Sequence, residues 1–242
     1  FVIPVTLGLL SRDGLALPMQ LAGASDSLTQ QTLVMTVASA RFTFVNIDSE
    51  PVPSLLRGFS APVVLEDGLS ADDLLILLAH DSDPFNQWEA GQRLMLQSAL
   101  QAIQQNTDQT SKPVLSEALV GALRNVLRHP ALDAAFKDLA LTLPSENYIA
   151  DQLDVVDPQR VHALRENMRL QLATALQADA IDNGRADIAD DVVRLRQGRI
   201  GEQRQHGLGA TPGYKNQPDL RCCTDRAIER QSIGLSSAEK CS

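Results

Sequence analysis

The spacing of apolar residues changes once along this chain, close to residue 67. Before that point, apolar and polar residues alternate in short runs rich in Val, Thr and Phe, which is the pattern of half-buried β-strands. After it, apolar residues recur every three or four positions, as they do along amphipathic helices. The change falls across Asp67-Gly68, between Leu65 and Ser70. The pattern therefore predicts a β unit followed by an α unit.

Residues 1–67 are predicted to form a partial antiparallel β-sandwich of the Ig-like type. The strand-like runs cover residues 2–10, 15–21, 32–37, 41–45 and 63–65. Arg12-Asp13-Gly14 is typical of a hairpin turn, and Pro18 marks an edge position or a bulge. Short strands, tight turns and no crossover helix indicate antiparallel pairing. With at most five strands visible, we expect part of the sandwich to be missing.

Residues 70–182 are predicted to form an α-helical bundle or a superhelical domain. Ser70 followed by Asp73 is a cap-and-acid start, and Asp83-Pro84 places an N-cap residue before a proline at the first helical position. Asp157-Pro158 starts another helix in the same way. Broad apolar stripes and short loops favour antiparallel packing of these helices. No fixed sequence period decides between a bundle and a superhelix.

Residues 183–242 differ in character from the rest of the chain. This tail holds seven glycines and all three cysteines, and it lacks a sustained apolar stripe. Such a segment buries too little apolar surface to offset chain entropy, so we predict that it is disordered, or that it arose from a shifted reading frame. The first 221 residues contain no cysteine. That composition excludes a disulfide framework there and predicts a reducing, cytoplasmic location.

Length, charge and hydropathy narrow the classes of function. The 242 residues are enough for one large or two small domains. The net charge of −9 and the pI near 4.9 argue against binding to nucleic acid or to an anionic membrane. No apolar run reaches the ~18 residues of a membrane span. Because the chain begins with Phe1 rather than Met, we interpret it as part of a longer protein.

No residue of this sequence is predicted to be catalytic, cofactor-binding or metal-ligating. None of the histidines begins an H-E-x-x-H zinc helix, so structural or capping roles are expected for them. They are His80, His129, His162 and His206. Asp81, Asp83 and Asn86 resemble the start of a calcium loop. A calcium loop needs Gly at position six and Glu at position twelve, where this chain has Asn and Gln, so we reject that site.

Four other features carry no predicted chemistry. They are the glycines Gly207, Gly209 and Gly213, the cysteines Cys222, Cys223 and Cys241, and the single residues Ser60 and Trp88. No strand precedes the glycines and no Gly-Lys-Ser/Thr follows, so they do not form a phosphate loop. The cysteines lack the paired spacing of a zinc site, and the serine lacks the glycines of a nucleophile elbow. The tryptophan lies on an apolar stripe and is predicted to be in the core.

A set of motifs lies around the point where the apolar spacing changes. They are Pro51-Val52-Pro53-Ser54-Leu55-Leu56-Arg57, Phe59-Ser60-Ala61-Pro62-Val63, His80, Phe85 and Trp88. Together they resemble the bacterial aminopeptidase N (alanyl aminopeptidase) family of gluzincin zinc metallopeptidases. The resemblance covers roughly residues 1–180. It implies that the chain contains the end of a small β-sandwich domain and the start of a C-terminal helical domain.

The resemblance implies a parent enzyme that removes N-terminal residues from peptides with a water activated on zinc. It places two histidines and a glutamate as zinc ligands, a glutamate base and a Gly-x-Met-Glu-Asn segment in an upstream domain, outside this chain. The β unit would brace that catalytic domain, and the helical unit would cap the active-site chamber. The alternative hypothesis is a free-standing module, a β unit plus a helical scaffold that binds a protein partner without catalysis.

Overall fold

The computed structural model describes residues 2–105 and 113–182, which form an antiparallel β unit followed by an α-helical unit. This order agrees with the fold class that the apolar spacing predicts. The tail, residues 183–242, lies outside the described residues, so the expectation of a disordered or frame-shifted tail stays a prediction. None of the helices in the described part of the chain is both long enough and apolar enough to span a bilayer.

Six strands make up the β unit in the described residues. They are β1 Ile3–Leu10, β2 Ala16–Leu17, β3 Gln20–Leu21, β4 Gln30–Met35, β5 Phe44–Val45 and β6 Val52–Leu55. Strand β1 pairs with β2, β4 and β6, so that Val5 lies opposite Leu33 and Leu9 lies opposite Pro53. Strands β3 and β5 form a separate two-stranded sheet. All of these pairings are antiparallel, as predicted.

The turn after β1 and the break after β2 both follow from single residues. Gly14 adopts a φ of 79°, and its N–H donates to the carbonyl of Ser11 at 2.9 Å, which closes the predicted hairpin. The predicted strand over residues 15–21 is divided into two at Pro18, the residue predicted to mark an edge position or a bulge. Pro18 has no N–H to donate, and the two halves on either side of it pair in different sheets.

The predicted strand at residues 63–65 is also wrong. The N–H of Val63 donates to the carbonyl of Ala61 at 3.0 Å, so this backbone bonds locally instead of joining a sheet. Strand β6 fills the position beside β1, although Pro51 and Pro53 argue against a central strand in that segment. Strand β6 bonds to β1 alone among the described strands, so its outer edge tolerates a proline.

Six α-helices follow the β unit in the described residues. They are α1 Ala71–His80, α2 Pro84–Gln104, α3 Glu117–Arg128, α4 Ala134–Leu141, α5 Glu146–Ala150 and α6 Pro158–Asp182. The capping box before α1 is confirmed: Ser70 and Asp73 exchange backbone-to-side-chain hydrogen bonds of 3.2 and 2.9 Å. Asp83 caps α2 with Pro84 at its first position, as predicted. Helix α5 is too short to show a helical period in the sequence.

One large core holds the helical unit and extends into the β unit. Among the residues that the structure describes, it contains 27 buried apolar residues, and two of them, Leu10 and Val52, come from strands β1 and β6. Both residues lie against helices rather than inside the β unit. The two units are therefore packed together through apolar contact as well as joined by the chain.

Candidate functional site

The described residues with the most constrained polar geometry lie where the two units meet. Two short segments form this place: residues 54–58, from the end of β6 into the following turn, and residues 81–86, from the end of α1 into the first turn of α2. We refer to these two segments together as the joint. A single 3-10 turn, Arg57–Phe59, brings the first segment against the second.

The 3-10 turn has an unusual backbone. Leu56, Gly58 and Phe59 have φ values of 56°, 62° and 53°, in the left-handed region that disfavours residues with a Cβ. The backbone strain of Leu56 and Phe59 in this region costs on the order of 1–3 kcal/mol for each residue, so contacts with the surroundings must hold them there. Part of that hold is a hydrogen bond of 2.8 Å from the N–H of Gly58 to Oδ2 of Asp83. The turn is thus tied to the N-terminus of α2.

Arg57 reaches from this turn into the connection between the helices. Its side chain is only 8% exposed, its Nη2 donates to Oγ of Ser82, and the same atom lies 3.3 Å from Oδ1 of Asp81. The guanidinium also lies against the backbone of β1. A Cβ on Gly8 would come within 2.2 Å of Nη1, so only glycine leaves room for the arginine at that position.

Asp81 is fully buried in the joint. Burial raises the pKa of this carboxyl above its usual value of 3.8, although the Ser54 hydroxyl, the N–H of Asp83 and the charge of Arg57 all favour ionisation. Its Oδ1 accepts from the N–H of Asp83 at 2.9 Å. Its Oδ2 and the Nε of Arg57 have no hydrogen bond of normal geometry with any described residue. The pair is therefore buried but incompletely satisfied.

Asn86 ties α2 back to the β unit. Its Nδ2 donates to Oγ of Ser54 at 2.7 Å and to the carbonyl of Leu55 at 2.9 Å, and its N–H donates to the capping Asp83. Asp81, Asp83 and Asn86, which resemble the start of a calcium loop in sequence, thus use their polar side-chain atoms for hydrogen bonds within the protein. This arrangement supports a structural role for Asp81, Asp83 and Asn86.

A row of three aromatic rings borders the joint. The Phe59 and Phe85 rings pack edge to face with centroids 5.2 Å apart, and Trp88 follows at 6.1 Å from Phe85. Phe59 is 56% exposed and Trp88 is half-buried. The prediction that Trp88 belongs to the core is therefore wrong. The helical spacing places it beside the apolar stripe of α2, on the side that faces the turn.

A second polar cluster closes a small cleft between the β unit and helices α1 and α2. Arg93 donates to both carboxylate oxygens of Asp67, at 2.7 and 2.9 Å. Burial disfavours the Asp67 carboxylate, but these bonds and the N–H of Leu69 outweigh it and lower its pKa. Burial raises the pKa of the neighbouring Glu89. The cleft measures about 30 Å³, which is space for water rather than for a substrate.

The structure keeps the histidines of the described part of the chain on separate elements. The His80 ring lies under Gly14, where a Cβ would come within 2.2 Å of it, and His129 ends α3. His162 pairs with Glu146 at 2.8 Å. Within residues 2–105 and 113–182, no three His, Cys, Asp or Glu side chains come together as a metal site would require. His206 lies outside the described residues, as do the tail glycines and cysteines.

Ser60 makes a contact that holds the turn against the β unit. Its Oγ accepts a hydrogen bond of 3.0 Å from the N–H of Thr6 in β1. No base or third group is bonded to it among the described residues. The arrangement at the joint can fix the orientation of two domains.

Sequence reasoning misses the joint because its residues have no chemical motif. Arg57 lies between a leucine and a glycine, and Asp81 follows a histidine at a helix end. The available signals are an arginine in an otherwise apolar run and an Asp-Ser-Asp-Pro connection. Neither signal says that the two segments meet in space.

Two family models match the chain in succession. Residues 1–68 match a domain of unknown function with an Ig-like fold (DUF3458). Residues 71–204 match a domain of unknown function with ARM repeats (DUF3458_C). The second match indicates an ARM-like superhelical arrangement for the helical unit. It also continues to residue 204, beyond the limit near residue 180 that the sequence pattern predicts for the resemblance.

Several proteins are similar to this chain over most of its length. Aminopeptidase N of Escherichia coli (strain K12) is 34% identical over 175 residues, which are 72% of this chain and 20% of that protein. Aminopeptidase N of Caulobacter vibrioides is 35% identical over 158 residues, covering 64% of this chain and 18% of that protein. The chain thus spans about a fifth of the length of the curated relatives that it matches.

A solved structure supports the same assignment. The crystal structure of Legionella pneumophila aminopeptidase A in complex with aspartic acid is 25% identical, with a TM-score of 0.57, and the match covers 75% of this chain and 20% of that one. The motifs, the order of the two domains and the relatives all agree. The chain therefore belongs to the aminopeptidase N family and corresponds to its Ig-like and ARM-repeat C-terminal region.

Proposed function

We propose that this chain is a non-catalytic C-terminal part of a zinc-dependent aminopeptidase that removes N-terminal residues from peptides. The observation that carries the proposal is the match, in order, of an Ig-like domain and an ARM-repeat domain to one region of named aminopeptidases. In this proposal the Ig-like domain braces the catalytic domain. The ARM-repeat domain caps the active-site chamber and restricts substrates to peptides that can enter.

The zinc of the proposed enzyme does not fit the described residues of this chain. A catalytic zinc takes three protein ligands within about 2 Å and keeps a position open for water. His80, His129 and His162 lie on different helices. We therefore place the ligands and the glutamate base in another part of the proposed enzyme. For its location we propose a reducing, cytoplasmic compartment, since the first 221 residues contain no cysteine.

A chimera tests the proposed function. Residues 1–204 of this chain would replace the matched region of the Escherichia coli aminopeptidase N, and a deletion of that region would serve as the control. We expect the chimera to cleave an alanyl reporter in a chelator-sensitive way and the deletion variant to lose that activity. Circular dichroism and a melting curve of each protein separate loss of folding from loss of function.

The isolated chain completes the experiment. We expect residues 1–242, dialysed with zinc, to hold less than one zinc per chain and to leave the reporter intact. One tightly held zinc per chain, with turnover that a chelator abolishes, would contradict the placement of the active site elsewhere. A folded but inactive chimera would favour the alternative, a free-standing module that binds a protein partner.

A further inference from the structure

We propose that the buried Arg57–Asp81 pair is a positioning device that sets the angle between the Ig-like and helical domains. Arg57 comes from the Ig-like side and Asp81 from the connection between α1 and α2, and both side chains are at least nine-tenths buried. The pair acts through the orientation of the helical domain.

The covalent connection between the domains lacks regular secondary structure, and its polar tie to α2 is the pair of hydrogen bonds from Arg93 to Asp67. Residues 60–70, between the 3-10 turn and α1, contain neither helix nor strand. Such a segment limits the distance between two domains more than it limits their rotation. The joint, by contrast, brings residues 54–58 and 81–86 together through several hydrogen bonds that cross between the domains. The joint therefore holds more of the directional contacts between the domains than the connection does.

Apolar contact between the domains is also a weak guide to orientation. Leu10 and Val52 add to the helical core, and their burial favours association of the two domains. The hydrophobic effect is non-directional, so small rotations about this contact change its free energy little. A guanidinium that must meet Ser82 and Asp81 together has a much narrower range of acceptable positions. The polar contacts supply the direction that the apolar contacts lack.

The incomplete satisfaction of the pair supports a role in orientation over a role in stability. Nε of Arg57 and Oδ2 of Asp81 are buried and make no hydrogen bond of normal geometry with the described residues, although the Ser54 hydroxyl favours the Asp81 carboxylate. Taking two charges out of water costs free energy that only well-satisfied geometry recovers, so such a pair is a weak source of stability. Gly8 makes room for the arginine by having no side chain. Both features are expected if the role of Arg57 is to hold the two segments of the joint in one orientation.

A distance measurement between the domains tests the proposal in the full chain. Cys222, Cys223 and Cys241 would be replaced by Ser, and spin labels would be attached at Gln30→Cys in β4 and Ala163→Cys in α6, both exposed positions. Pulsed electron resonance then gives the distribution of label distances. We expect Arg57→Gln and Asp81→Asn each to broaden and shift this distribution, because the directional contact is lost.

Arg12→Gln is the matched control. Arg12 also joins the two domains, through Asp73 of α1, but its side chain is 44% exposed. We expect this variant to keep the original distance distribution. If Arg57→Gln proves too unstable to fold by circular dichroism, Asp81→Asn carries the test, because its amide oxygen still accepts from the N–H of Asp83. Folded Asp81→Asn or Arg57→Gln chains with an unchanged distribution would overturn the proposal, as would equal broadening in Arg12→Gln.

The consequence for catalysis rests on the proposed function and is measured separately. In the chimera, Arg57→Gln should change the ratio of cleavage rates for a long peptide and a short alanyl reporter, with a smaller change in the reporter rate alone. A changed distance distribution with an unchanged ratio would count against the capping role and leave the positioning role intact. An unchanged distribution would count against the positioning role whatever the ratio.

Discussion

The helical domain packs around one continuous core, whereas the Ig-like domain divides its apolar residues among small groups. The helical core holds 27 buried residues. The Ig-like domain has two clusters of four buried residues each, one around Val5 and Met35 and one around Leu7 and Met19. Because the cost of chain ordering is similar per residue, the smaller clusters have less burial with which to offset it. The Ig-like domain therefore depends on its neighbour.

The surface shows the same difference. In the described residues, eight large apolar side chains of the Ig-like domain are exposed, against five in the longer helical domain. Among the described strands β4 pairs with β1 alone, so its other edge is open, and it carries no charged residue or proline. The difference teaches that the Ig-like region leaves more apolar surface exposed than the helical region does, and that the helical region covers part of it through Leu10 and Val52.

The largest effect should come from the middle of the helical core. Leu123 of α3 is fully buried, so Leu123→Ala leaves a cavity and should lower the free energy of unfolding by about 2–5 kcal/mol. Because Leu10 belongs to the same core, amide protection in β1 should fall together with that in α3. Urea unfolding and hydrogen exchange measure the two effects. Full protection of β1 in a chain with a loosened α3 would contradict the dependence of the Ig-like domain.

The second largest effect is expected for a buried valine of the Ig-like domain, and it is measured against a second valine of that domain. Val52 faces the helical core and is fully buried, while Val5 lies in a four-residue cluster at 8% exposure. We expect Val52→Ala to cost about 2–3 kcal/mol and Val5→Ala about 1–2 kcal/mol, because the small cluster relaxes around the lost methyl groups more easily. Equal costs in urea unfolding would mean that the two cores are equally rigid.

An intermediate effect depends on pH. The pKa of Asp67 is lowered from 3.8 in the folded chain, so its contact with Arg93 adds stability that is complete above that value and is lost as pH falls through the folded pKa. Asp67→Asn should therefore be destabilised relative to the unaltered chain at pH 7, with the gap closing toward pH 3. Urea midpoints at pH 7, 5 and 3 show the trend.

Glu166→Gln is the control for that trend. Arg169 lowers the pKa of Glu166 within a single helix, on a more exposed surface. Screening by solvent should make its gap at pH 7 smaller than that of Asp67→Asn. A gap for Asp67→Asn that stays constant from pH 7 to pH 3 would show that the charge of this carboxylate does not contribute.

The smallest effect is expected for Arg12→Gln. Its contacts with Asp73 and Glu50 are exposed to solvent and screened by salt, so the unfolding midpoint should stay close to that of the unaltered chain. The difference between the two midpoints should also change little when salt is added. A loss as large as that of Val52→Ala would mean that this exposed pair, and not the shared core, holds the hairpin against α1.

Helix starts could be predicted from the sequence because their signals are local. Ser70 with Asp73, and Asp83 with Pro84, satisfy backbone groups within the same turn, so no distant residue changes the outcome. Strands were harder to predict, since a strand exists only where a partner accepts its hydrogen bonds. Residues 63–65 have a strand-like composition and form none, while the proline-containing β6 pairs with β1.

Trp88 illustrates a different limit. Helical spacing predicts which stripe of α2 a residue borders, but the width of the buried stripe depends on the elements that pack against it. Here the turn with Phe59 covers that side only in part, so the indole remains half-buried in the aromatic row. Short helix α5 escapes prediction for another reason, because its five residues complete little more than one turn.

The sequence by itself determined the order of a β unit and a helical unit, the starts of the main helices and the family resemblance, because each depends on residues close together along the chain. Only the tertiary structure decided the sheet register, the shared core and the joint. Arg57 and Asp81 are 24 positions apart and have no local pattern in common, so their meeting depends on how the domains pack. The energetics of that buried pair arise from its surroundings, which no single stretch of sequence contains.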